Sequence, residues 1–204
     1  MTTSRETALR AGIRAEIFTV GWMVIEAAVA IASGIAASSV LLVAFGADSV
    51  IELMSGAVLL WRLHAEVTDE SATMVERRAA WVSSILLVVL CLYVVTSSVV
   101  GLVRHVEPEK SVAGIVISAA AVIAMPLLGR WKKRINSVLQ SSALRADIAE
   151  TLACGLMAAF VLLGLALNVV LRWWWAEYVA AFGLLFWLLH ETKEAFEAAR
   201  GDAN

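Results

Sequence analysis

A chain of 204 residues with 61% hydrophobic side chains and a mean hydropathy of +0.83 is more apolar than soluble proteins, which average about 45–50%. The apolar residues fall in long runs, which argues against a soluble domain and for an all-α polytopic membrane protein. The net charge of −2 says little as a sum, and the two cysteines, Cys91 and Cys154, both lie inside apolar runs, which argues against a disulfide framework.

Six transmembrane helices are predicted in chain order, at 17–36, 38–61, 80–103, 111–129, 142–171 and 174–194. Each is close to the roughly 20 residues that cross the hydrocarbon of a bilayer. A polar segment, 1–16, precedes this six-helix domain, 17–194, and a short tail, 195–204, follows it. The first apolar run is too long for a signal-peptide core and lacks a clear cleavage site, so it reads as a retained helix.

Positive charge sets the predicted orientation. Arg5, Arg10 and Arg14 precede span 1; Arg62, Arg77 and Arg78 lie between spans 2 and 3; Arg130, Lys132, Lys133, Arg134 and Arg145 surround the span 4–5 connection; Lys193 and Arg200 close the chain. Only Arg104, Lys110 and Arg172 fall on the other side. Both termini are therefore expected in the cytoplasm, with the chain a multi-pass protein of the cell membrane. The run Arg130–Arg134 reads as an anchor of this kind and not as a nucleic-acid site. Trp173, Trp174 and Trp175 at one end, and Trp61, Trp81 and Trp131 at the other, read as interfacial residues.

Against this apolar background the acids stand out, because a charge at the centre of a membrane helix costs roughly 2.5–3.5 kcal/mol. Asp48 and Glu52 are four residues apart, so they share one face of span 2. On span 5, Glu150 and Cys154 repeat the spacing, with Asp147 one turn earlier. At 1.5 Å per residue Asp48 lies about 15 Å from the start of span 2, and Glu150 and Cys154 about 12 and 18 Å from the start of span 5, so both pairs reach a similar depth near the middle. Antiparallel helices would set Asp48 opposite Cys154 and Glu52 opposite Glu150. Three carboxylates and a thiol would suffice for a four-coordinate divalent metal, the thiol favouring zinc or softer ions. Without metal, three acids in a low dielectric should hold some protons, and metal binding should expel them.

Other readings stay open for individual residues. Asp147 can pair with Arg145, and Cys154 can be a small residue packed beside Gly155. Glu26 in span 1 reads as a hydrogen-bonded structural residue or a proton carrier. His64, Glu66, Asp69 and Glu70 read as a solvated acidic loop, and His105 and His190 carry no clear signal.

The segments Ala44-Phe-Gly-Ala-Asp48-Ser-Val-Ile-Glu52 and Ser142-Ala-Leu-Arg-Ala-Asp147-Ile-Ala-Glu150-Thr-Leu-Ala-Cys154 resemble the cation diffusion facilitator family over about residues 17–194. The resemblance implies a secondary transporter, with no prosthetic group. It would export a divalent cation, usually zinc, from the cytoplasm in exchange for protons, as a homodimer working by alternating access. It places Asp48 and Glu52 on the two span 2 ligands, Glu150 where the family usually has His, and Cys154 where it usually has Asp. Asp147 would be an auxiliary acid. Glu52 stands for the more usual Asp. The soluble C-terminal domain of many members is not expected, as in the short six-helix members. The rival expectation is a membrane metal sensor or scaffold that keeps the fold without transporting. No nucleophile–base pair or phosphate loop suggests an enzyme.

Overall fold

The computed structural model describes residues 2–65 and 69–200, which form six helices with no strand among them. They are α1 (Thr2–Ala36), α2 (Val40–Ala65), α3 (Asp69–Arg104), α4 (Val112–Leu139), α5 (Ser142–Leu171) and α6 (Ala176–Arg200). Five of them, all but α6, are long and apolar enough to cross a membrane, so the chain is a polytopic membrane protein. The predicted sixth span, 174–194, is a helix, but Glu177, His190, Glu191 and Lys193 dilute its apolar content. The predicted N-terminal segment, 1–16, is helical from Thr2, and α1 continues it without a break. The side chains of the predicted acidic loop (His64, Glu66, Asp69 and Glu70) and residues 201–204 of the predicted tail lie outside the described residues.

Helix ends follow local chemistry. Ser111 and Ser141 cap α4 and α5 by accepting the backbone N–H of Gly114 at 2.9 Å and of Leu144 at 3.3 Å. Gln140, in the left-handed region at φ 53°, closes α4, and the Asn136 Oδ1 accepts the Ser141 N–H at 2.8 Å. The turn between α4 and α5 is thus fixed within two residues. At the other end of the bundle, Asn168 donates to the Glu177 carboxylate at 2.7 Å and to the Pro108 carbonyl at 3.1 Å. The Ser39 hydroxyl donates to the second Glu177 oxygen. One buried carboxylate thereby ties the α1–α2, α3–α4 and α5–α6 connections together.

α1 packs along α2 and α4, α4 along α5, and α3 along α6, while α2 also touches α3, α5 and α6. Leu41, Leu42, Phe45, Met125, Met157, Val161, Leu184 and Leu188 fill the centre. The α1–α2 approach depends on small residues, as is usual between membrane helices. A Cβ on Gly46 would lie 2.7 Å from Ile31 Cγ1 and 2.9 Å from the Ile31 backbone nitrogen. Gly34 is seated against Val43 in the reciprocal way, at 2.8 Å. Gly46 lies two residues before Asp48, so this contact also sets the depth and rotation of the acids on α2. Gly46→Ala should cost roughly 1–3 kcal/mol through overpacking. A graded SDS unfolding curve that matches the native chain would contradict that close approach.

Candidate metal centre

The α2 acids face inward as their spacing predicts. Asp48 and Glu52 are 1% and 6% exposed, and none of their four carboxylate oxygens has a hydrogen-bond partner. Buried polar atoms are almost always paired, because leaving one unpaired costs about 1–3 kcal/mol, and more for a charge. Four orphaned oxygens at adjacent turns of one helix therefore point to something that binds there.

Glu191 of α6 completes the cluster. One oxygen each from Asp48, Glu52 and Glu191 lie within 4.8 Å of one another. The Trp187 indole N–H, one turn earlier on α6, donates to Glu191 Oε1 at 3.1 Å and orients the carboxylate. Ligating carboxylates are commonly held by such outer hydrogen bonds. The pattern recurs on α1, where Trp22 donates to Glu26 Oε2 at 2.6 Å.

The α5 residues sit close to this cluster but in other roles. Cys154 is fully buried, and its thiol donates to Glu26 Oε1 at 3.4 Å. That same oxygen accepts the Ser49 hydroxyl at 2.8 Å. Glu26 is thus held by three donors. Cys154 remains within the electrostatic reach of Glu52 and Asp48. Glu150 is half-buried and stands outside the three-carboxylate set, though it interacts with Glu191, Asp48 and Glu52.

Asp147 has a different partner from either one considered in the sequence. Its carboxylate lies 2.7 Å from Lys132 Nζ, and Glu16 of α1 lies 3.0 Å from the same nitrogen. Lys132 also donates to the Thr151 hydroxyl at 3.3 Å. Arg145, the partner considered from sequence, is exposed. Lys132, grouped by sequence with the basic anchor, is fully buried, because it shares the inward stripe of α4 with Met125, Leu128 and Ile135. A Cβ on Gly56 of α2 would meet Glu16 Oε1 at 2.9 Å, so that glycine leaves room for the ion-paired acid.

Lys132 is the only buried lysine or arginine among the described residues, and it is already held by two acids. Among the described residues the cluster of Asp48, Glu52 and Glu191 accordingly has no buried lysine or arginine to balance it. Protons or a metal ion can fill that role, and three convergent oxygens fit a divalent cation.

Glu191 was missed in the sequence because it sits in the charged stretch His190-Glu-Thr-Lys-Glu194, which resembles a membrane edge. Two signals were available. It falls inside the predicted span 174–194, and Trp187-x-x-x-Glu191 repeats Trp22-x-x-x-Glu26. No protein-family model matches the chain, and no curated protein matches it.

Proposed function

We propose that the chain is a secondary transporter that exports a divalent metal cation from the cytoplasm in exchange for protons. The observation that carries the reading is the set of four unpartnered, buried carboxylate oxygens of Asp48 and Glu52, with Glu191 beside them and no buried lysine or arginine but the ion-paired Lys132 among the described residues. Intramembrane acids without a partner are functional sites by default. Metal and protons compete for the same carboxylates, which is the chemistry an exchanger needs.

In this reading α6 is the sixth crossing, and its interior acid is one of the residues that make its composition fall short of a plain span. Both termini face the cytoplasm of a cell-membrane protein, as the arginine and lysine distribution favours. The working unit is a homodimer, as in the family that the two acidic motifs resemble. The test is metal flux into proteoliposomes under an imposed pH gradient. Saturable flux of zinc or manganese that follows the gradient supports the transporter. Metal binding without flux of either ion would replace it with the sensor or scaffold reading.

A further inference from the structure

We propose that Glu191 is the third ligand of the centre, and that the centre is an all-oxygen site for a hard divalent cation of the Mn²⁺ and Mg²⁺ class. Both thiols would then stand outside the coordination sphere. The inference rests on the reading that this cluster carries a cation, and it narrows which cation and which helices hold it.

The geometry comes first. A cation holding oxygens at about 2.1–2.4 Å spans opposite ligands up to about 4.2–4.8 Å apart. The three oxygens of Asp48, Glu52 and Glu191 lie within 4.8 Å of one another, the upper end of that range. Asp48 and Glu52 are more than nine-tenths buried, and none of their carboxylate oxygens has a hydrogen-bond partner, so they are aimed at a ligand and not at solvent, with the Cys154 thiol close to Glu52. Glu191 is oriented by Trp187 and needs no movement of its helix to join them.

The donor chemistry sets the class. Thiolate, not thiol, is the metal ligand. The Cys154 thiol donates its hydrogen bond to Glu26, and Cys91 Sγ lies 3.9 Å from the Thr192 hydroxyl. Neither sulfur belongs to the converging set. The neighbouring His190 turns to the exposed Glu194 at 3.3 Å. Carboxylates alone suit Mg²⁺ and Mn²⁺, which also keep waters in the positions the protein leaves open. Zinc generally binds any such site more tightly than manganese, so ligand identity, and not affinity rank, is the property to test.

The experiment uses the purified full-length chain in detergent. Mn²⁺ is titrated while electron paramagnetic resonance follows the free ion, and Co²⁺ serves as an optical probe. The native chain should bind Mn²⁺, and Glu191→Gln should weaken binding by at least roughly 10-fold. Trp187→Phe leaves every carboxylate in place and should also weaken it, which keeps the idea testable if Glu191→Gln misfolds. The double variant Cys91→Ala with Cys154→Ala should bind as the native chain does. Co²⁺ should show no sulfur-to-metal charge-transfer band. A native chain that binds no Mn²⁺ overturns the proposal. So does unchanged binding by both Glu191→Gln and Trp187→Phe, or a sulfur band that disappears in the double variant. Binding as expected without gradient-driven flux would remove the transport reading and leave the site standing. Gradient-driven flux untouched by Glu191→Gln would do the opposite.

Discussion

Asp48→Asn should reduce metal flux in proteoliposomes to the level of protein-free vesicles while leaving the chain helical and inserted. Asn keeps the shape and one acceptor oxygen but removes the charge. Asp48 makes no hydrogen bond that the change would break, since both of its oxygens are unpartnered. The folded state should therefore tolerate the substitution, and relieving repulsion from Glu52 and Glu191 should even favour it. Binding loses a direct anionic ligand. Outer-shell changes alone cost about 10–100-fold in metal affinity, so loss of a ligand should exceed that range. Glu52→Gln should behave in the same way. Native flux from Asp48→Asn would place the pathway elsewhere in the bundle.

Lys132→Met is expected to act on stability first. The change removes the shared partner of Glu16 and Asp147, which lie 3.0 and 2.7 Å from the Lys132 nitrogen. Breaking a buried ion pair from one side costs about 3–5 kcal/mol, because the remaining charge is buried without compensation. Neutralising all three residues together, as Glu16→Gln, Lys132→Met and Asp147→Asn, should recover most of that loss, since the desolvation cost disappears with the charges. Graded SDS unfolding of the single and triple variants separates the two cases. If the single variant unfolds like the native chain, the three residues do not act as one ion-paired unit.

The helical segments and the inward face of α2 were legible in the sequence because both rest on local periodicity. Runs of about 20 apolar residues fix the spans, and the four-residue spacing of Asp48 and Glu52 fixes their common face. That Glu150 and Cys154 of α5 reach the level of the α2 acids was also legible from the rise per residue. Rotation about the α5 axis was not, since it is set by packing against α4, α6 and α2. That rotation turns Cys154 to Glu26 and Asp147 to Lys132. Lys132 shows the complementary limit. A count of positive charge locates the membrane face but does not reveal which member of a basic run points inward. Its place on the stripe of Met125, Leu128 and Ile135 does carry that information. The α6 acid was obscured by composition, because its charged neighbours on the outer face masked one residue on the inner face.

The indole hydrogen bond to Glu191 would give the proposed centre an optical gauge of its own occupancy. Tryptophan emission responds to charge at the ring nitrogen, and Trp187 donates directly to an oxygen of Glu191, the proposed third ligand. In the proposed centre each ion that arrives would change the field at that nitrogen, so the metal-dependent change in the native chain's emission would record occupancy as it happens. Stopped-flow mixing with metal can then time loading of the centre without an added dye, label or radioactive ion.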